Sequence, residues 1–198
     1  MKRIDAIRTT VNVIPPESII VSANGFISRE LFSLHKSKRD FYMIGSMGLA
    51  SSIGLGVALA KPKRCIVVLD GDGNLLMNLG SMATIAMRNP SNFLHVVLDN
   101  RTYESTGGQP TAAQAFDFCG LAKTVGYKSV DCVHSKQELE DSLSRAVQRS
   151  ELSFIHANVE TGNADVPRVG VSPPEMAREF RSEVCRQPPW KGRDSAVT

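Results

Sequence analysis

The sequence has no run approaching the ~18 consecutive apolar residues that span a bilayer, and it shows no internal repeat or low-complexity segment. A helical membrane protein and a solenoid are thereby excluded. The N-terminus, Met1-Lys2-Arg3-Ile4-Asp5, turns polar at once and carries no apolar signal region, so the expected location is the cytoplasm. No Cys-x-x-Cys pair occurs among the 4 cysteines, and the wide separation of Cys65, Cys119, Cys132 and Cys185 argues against iron–sulfur and zinc sites. Cys65 and Cys132 fall in apolar, strand-like runs and read as buried free thiols in a reducing compartment. Concentrated charge is lacking too: 23 basic against 20 acidic side chains leave a net +3. Only Arg181 to Arg193 is locally basic, which leaves no electrostatic footprint for nucleic acid. His35, His95, His134 and His156 show no metal spacing; His95 and His156 sit inside apolar strands and read as satisfied core residues.

What is present is an ordinary globular mixture, 42% apolar and 22% charged over 198 residues, enough for one domain with a real core. Ser18–Val21, Cys65–Leu69, Phe93–Leu98, Lys128–Val133 and Phe154–Val159 read as strands, with a short extended run at Phe41–Ile44. Cys65–Leu69 is apolar on both faces, as a strand covered on both sides is, and Phe93–Leu98 reads as another buried strand. Between them lie helical patterns near Ser28–Leu34, Met47–Ala60, Leu75–Arg88, Gln114–Val125 and Lys136–Arg149, and a short one from Glu175 to about Val184. Strands alternating with crossover-length helices predict an α/β fold, a doubly wound parallel sheet with helices on both faces. One domain is expected over residues 1–185, with a loosely ordered tail at 186–198.

In such sheets ligands bind at the carboxyl ends of the strands, and two of those ends stand out chemically. Cys65–Leu69 is followed by Asp70-Gly71-Asp72-Gly73-Asn74, and Phe93–Leu98 by Asp99-Asn100-Arg101-Thr102-Tyr103. Asp72 and Asn100 offer hard oxygen donors of the kind that suit Mg²⁺ shared with substrate phosphates. Gly71 and Gly73 allow a tight turn, and the helix opening after them directs free N–H groups at a bound anion. The combination predicts a site for metal plus diphosphate. A dinucleotide reading fails, because Gly54-Leu55-Gly56 lacks the third glycine and the preceding strand.

Gly71-Asp72-Gly73, the 25 residues 74–98, and Asp99-Asn100 together resemble the signature of the thiamine-diphosphate enzymes: Gly-Asp-Gly, a spacer of this length, then Asn-Asn. Asp99 stands where the family has its first Asn; the second, the metal ligand, is kept as Asn100. The resemblance implies thiamine diphosphate and Mg²⁺ as cofactors, with Asp72, Asn100 and the backbone carbonyl of Thr102 on the metal. Gly45-Ser46-Met47-Gly48 resembles the segment that holds the aminopyrimidine; Met47 would bend the cofactor and the Gly45 carbonyl would accept from its amine.

Ser22-Ala23-Asn24-Gly25 with Ser28-Arg29-Glu30-Leu31-Phe32, and Tyr103-Glu104-Ser105-Thr106-Gly107-Gly108-Gln109-Pro110-Thr111, resemble segments of the phosphonopyruvate and sulfopyruvate decarboxylases. Val166-Pro167-Arg168 and the helix ending in Phe180 extend the likeness to roughly residues 15–182. Ala23, Asn24, Gly25, Ser46, Asn74, Tyr103 and Glu104 complete the implied cofactor-binding set. Ala23-Asn24 departs from the family's Thr-Thr, so the diphosphate contacts there would come from the backbone. The glutamate that activates the cofactor belongs to a pyrimidine-binding domain for which 198 residues leave no room. No catalytic residue is therefore assigned to this chain. An α subunit carrying that domain is the expected partner in a hetero-oligomer. The resemblance implies a lyase that decarboxylates 3-sulfopyruvate to sulfoacetaldehyde and CO₂, as in coenzyme M biosynthesis. Alternatives are a split phosphonopyruvate or other 2-oxo acid decarboxylase and a non-catalytic cofactor-binding subunit. Ferredoxin-linked 2-oxo acid oxidoreductases also resemble this half, but no cysteine cluster supports electron transfer. Arg29 and Arg101 are weak candidates for the cation that meets the substrate's charged tail.

Overall fold

A computed structural model describes residues 1–186; the expected loose tail lies outside the described residues from 187 onward. Six strands form one sheet: β1 (Ile19–Ser22), β2 (Phe41–Tyr42), β3 (Ile66–Gly71), β4 (Phe93–Asp99), β7 (Ser129–Val133) and β8 (Ser153–Asn158). Their order is β2-β1-β3-β4-β8-β7, and every pairing is parallel. The expected parallel α/β sheet is what forms. All residues of β3 and β4 are buried, which a parallel sheet requires of strands with helices over both faces. Ile66, Val67, Leu69, Phe93 and Val96 are at most 1% exposed, each contributing roughly 1.5–3 kcal/mol of apolar burial.

The helices are α1 (Arg3–Val13), α2 (Phe26–Leu34), α3 (Ala50–Ala60), α4 (Asp72–Leu76), α5 (Gly80–Arg88), α6 (Phe118–Val125), α7 (Lys136–Arg149) and α8 (Pro173–Arg186). α3 lies so close to the sheet that a Cβ on Gly54 would collide with the Val68 side chain and crowd Phe93. α7 has the sequence-level start signal realised: the Ser135 side chain accepts from Glu138 N–H. No described helix is long and apolar enough to cross a membrane.

The fold departs from the sequence reading in four places. α1 has no sequence signal, because Thr9, Thr10, Val11 and Val13 are poor helix formers; it forms by burying Ala6, Ile7 and Thr10 beside α2 and α7. The single helix expected over Leu75–Arg88 is two, α4 and α5, separated at Met77–Leu79, where Asn78 Nδ2 donates to the Gly48 carbonyl at 3.2 Å. The helix expected over Gln114–Val125 begins as a 3₁₀ turn at Ala112–Ala115 and restarts at Phe118, because Asp117 accepts from Gly120 N–H at 2.8 Å and caps α6. The polar loop 100–111 contains a small antiparallel pair, β5 (Thr102–Tyr103) with β6 (Gln109–Pro110).

The cysteine expectation also needs correction. Cys132 is exposed rather than buried and forms a disulfide with Cys119, 6.5 Å away between Cα atoms. Cys65 is a free thiol, as expected, but only partly buried; Cys185 is free and exposed. The linear separation of 13 residues hides the proximity, which arises because α6 folds back over β7.

Candidate cofactor and metal site

The site is built at the carboxyl ends of β1, β3 and β4. β3 and β4 run in register, Gly71 beside Leu98, so the residues that follow each strand emerge side by side. Asp72, Gly73 and Asn74 form the first turn of α4, while Asn100, Thr102, Tyr103 and Glu104 follow β4. Ala23, Asn24 and Gly25 leave β1, tied to the neighbouring strand where Ala23 N–H donates to the Leu69 carbonyl at 2.8 Å. All ten, with Gly71 and Met47, line one cavity of about 140 Å³. Gly45 and Ser46 do not line it; they stand exposed on the loop after β2. Met47 is 38% exposed, so it is no core filler.

Asp72 is 2% exposed, and burial raises its carboxyl to about 6, a bond from Thr111 and the charge of Asp99 acting as smaller opposed influences. Thr111 Oγ1 donates to Asp72 Oδ2 at 2.5 Å and fixes one carboxylate oxygen. Thr111 belongs to the loop singled out in the sequence, but nothing there marks it as the partner of Asp72. At Gly73 a Cβ would collide with the Tyr103 ring, so only glycine lets α4 and the loop after β4 close together. Asn74 Nδ2 donates to Asp70 Oδ1 at 2.5 Å, and its Oδ1 accepts from Gly48 N–H at 2.8 Å. One side chain thus joins strand β3 to the Met47 loop, where Ser46 takes a left-handed φ of 55°.

Asp70 is part of a buried chain. His95 Nε2 lies 3.0 Å from Asp70 Oδ2 and its Nδ1 3.2 Å from the Tyr127 hydroxyl. Burial, reinforced by the Asp70 charge, pushes the Tyr127 hydroxyl up and keeps it a donor. With Tyr127 donating to Nδ1, Nε2 carries the proton that Asp70 accepts. His95 is the satisfied core histidine its sequence setting suggested.

Asn100 is 8% exposed; its Oδ1 accepts from Thr102 N–H at 3.2 Å, and its Nδ2 donates to Glu104 Oε1 at 3.2 Å. Glu104 Oε1 also accepts from Gly162 N–H at 2.6 Å, fastening the segment after β8 to the site. Asp99, the residue that departs from the signature, has two tasks. Its Oδ1 accepts from Arg101 N–H at 2.9 Å, holding Arg101 at a φ of 61°, and its Oδ2 lies 2.8 Å from His156 Nε2. His156 is therefore engaged at the edge of the site rather than enclosed in the core. Its ring also lies close to the sulfurs of Cys119 and Cys132, the three ligand atoms falling within 4.8 Å of one another.

Two residues that carry the site were not legible in the sequence. Arg3 lines the same cavity from α1, and Glu30, which the sequence offered only as part of the Ser28–Phe32 segment, is 1% exposed and bound to Arg3. Arg3 Nε and Nη2 donate to the two Glu30 oxygens at 3.1 and 2.7 Å, and Nη2 also donates to Asn163 Oδ1 at 2.9 Å. Arg101 lines neither this cavity nor the one beside it.

The donor set fits a hard divalent cation with an anionic ligand. Asp72, Asn100 and the Thr102 carbonyl are all oxygen donors, and Thr102 Oγ1 is buried there without a hydrogen-bond partner among the described residues. Acid, amide oxygens and helix-start amides at the carboxyl ends of middle parallel strands define a ligand-binding doubly wound protein.

Comparison with known proteins makes the class specific. Residues 23–157 match the family model for the thiamine pyrophosphate enzyme C-terminal TPP binding domain. The chain is 42% identical over 186 residues to sulfopyruvate decarboxylase subunit beta of Methanothermobacter thermautotrophicus, covering 93% of this chain and 96% of that one. It is 41% identical over 187 residues to phosphonopyruvate decarboxylase of Streptomyces viridochromogenes, covering 94% of this chain and 47% of that protein, about half its length. Benzoylformate decarboxylase of Polynucleobacter necessarius shares the fold with a TM-score of 0.68 at 18% identity, over 83% of this chain and 34% of that one. The chain belongs to the thiamine pyrophosphate enzyme family and comprises its thiamine-diphosphate-binding domain.

Proposed function

We propose that the chain is the metal-and-diphosphate half of a thiamine-diphosphate-dependent decarboxylase that converts 3-sulfopyruvate to sulfoacetaldehyde and CO₂. The observation that carries the reading is the convergence of Asp72, Asn100 and Thr102 on one cavity at adjacent strand ends, in a chain 42% identical to a sulfopyruvate decarboxylase subunit along nearly its full length. Asp72, Asn100 and the Thr102 carbonyl hold Mg²⁺ in this reading, and the amides of Gly73 and Asn74 meet the diphosphate. Thiamine diphosphate, when bound, supplies the electron sink that lets carbon dioxide depart. Met47 and the Gly45 carbonyl position its ring end, and Thr111 keeps the Asp72 carboxylate turned toward the metal. A partner α subunit brings the pyrimidine-binding domain and its activating glutamate, so the working enzyme is a hetero-oligomer. We place it in the cytoplasm on the free thiols at Cys65 and Cys185, with the Cys119–Cys132 disulfide the observation that speaks against a reducing compartment.

The second reading, phosphonopyruvate decarboxylation by the same split enzyme, is favoured by the 41% identity to the Streptomyces protein. Product identification on the chain co-purified with its partner separates the two. Sulfoacetaldehyde from sulfopyruvate at a turnover well above that of phosphonopyruvate is the expected result; phosphonoacetaldehyde as the main product selects the second reading. Cofactor retained by a partner complex that turns over neither acid refutes both, leaving a non-catalytic binding subunit.

A further inference from the structure

Beside the cofactor cavity lies a second one of about 260 Å³, which shares Asn24, Gly25 and Ser105 with it. Its walls are apolar at Met43, Ile44 and Val169, and no carboxylate lines it. Two guanidinium groups do, Arg29 from α2 and Arg168 from the segment after β8. Neither has an ion pair or hydrogen bond to any described residue; Arg29 lies over the Phe26 ring at 4.7 Å, which orients its plane without consuming its donors. The third arginine of this region, Arg3, is by contrast ion-paired with Glu30 and bonded to Asn163. The residues are brought together from opposite ends of the chain by Glu104, which clamps Gly162 to the loop after β4.

Two arginines with unused N–H donors in an acid-free cavity form a receptor for a tetrahedral oxyanion, since each planar fork can engage two oxygens. We propose that Arg29 and Arg168 bind the sulfonate or phosphonate tail of the substrate, with the Ser105 hydroxyl at the boundary with the cofactor cavity. The inference rests on the decarboxylase reading for the identity of the ligand, but the site itself follows from the charge and the cavity. It makes Arg29 and Arg168 specificity residues: they select a 2-oxo acid that carries an anionic group on its third carbon over one whose third carbon is a methyl group. The sequence offered Arg29 and Arg101; the fold replaces Arg101 with Arg168.

The test uses the chain with its partner and two unreactive probes, sulfoacetate and phosphonoacetate, followed by calorimetry on the wild type, Arg29→Gln and Arg168→Gln. Arg29→Lys and Arg168→Lys serve as controls that keep charge and lose the fork. At least one probe binds the wild type, each Gln variant weakens it about ten- to a hundredfold, and each Lys variant weakens it less. Retention of thiamine diphosphate stays unchanged. The proposal is overturned when neither probe binds the wild type, or when both Gln variants bind as it does. Turnover of the charged acids keeps the two failures apart. Probe binding that the Gln variants lose, in an enzyme that decarboxylates neither acid, refutes the function and supports the anion site. An active enzyme whose KM is unmoved by either Gln substitution refutes the anion site and leaves the function standing.

Discussion

The Asp72 carboxyl gives the sharpest quantitative expectation. In the metal-free chain it titrates at about 6 against an ordinary 3.8, chiefly because burial disfavours the charged form. The difference is roughly two units, and at about 1.4 kcal/mol each it corresponds to about 3 kcal/mol. The sign follows from proton counting. Between pH 3.8 and about 6 the folded chain holds a proton that the unfolded chain has released, so stability falls as pH rises through this window. Above about 6 the full cost of a buried, unneutralised carboxylate is present. Asp72→Asn keeps the shape and an oxygen able to accept from Thr111, but never ionises. Urea denaturation in the presence of a chelator reads the comparison. The variant matches the wild type near pH 4 and exceeds it by about 3 kcal/mol near pH 7.5. Excess Mg²⁺ then stabilises the wild type alone, because the cation neutralises the charge that the variant lacks. Equal stabilities near neutral pH, or a gap that does not change with pH, refute the argument that burial of the Asp72 charge is what the site holds in reserve for its cation.

Two further expectations concern the frame around the site. Arg3→Met strands the buried Glu30 carboxylate and costs about 3–5 kcal/mol, whereas the double replacement Arg3→Met with Glu30→Leu recovers most of that loss; a double-mutant cycle by chemical denaturation measures the coupling, and additivity refutes it. Thiol titration of the denatured, unreduced chain returns two reactive groups, Cys65 and Cys185, and four after reduction. Reduction also lowers stability by about 3 kcal/mol through release of the short Cys119–Cys132 loop, and four thiols without reductant remove the disulfide from the account.

Much of the site was readable because its residues are local to strand ends. Asp72 follows an all-apolar strand and Asn100 follows the next one, and parallel pairing of successive apolar runs is the ordinary outcome of an α/β pattern. The glycine at 73 could be placed by motif, although its reason, the Tyr103 ring against its Cα, appears only when the loop after β4 folds over α4. Other features had no local signal. α1 is held by what it packs on, not by propensity. The exposed Cys132 looked buried because alternation along a five-residue edge strand, buried only at its two end residues, is too short to fix its outward face. The role of Glu30 had no local signal because its partner is 27 positions earlier, on another helix.

By itself, then, the amino-acid sequence determined the sheet strands and most of the helices, the parallel sheet and the motif residues Asp72 and Asn100, since periodicity, turn chemistry and spacing act within tens of residues. Tertiary structure alone decided which groups are charged, paired or free. It set Thr111 on Asp72, His156 on Asp99, Arg3 on Glu30, and left Arg29 and Arg168 without ion-pair or hydrogen-bond partners among the described residues, beside the cofactor cavity. Those assignments depend on burial and on contacts between segments far apart in the chain, as between Arg3 and Asn163, 160 positions away, and the strength of a charge interaction is set by that surrounding rather than by the residue that carries it.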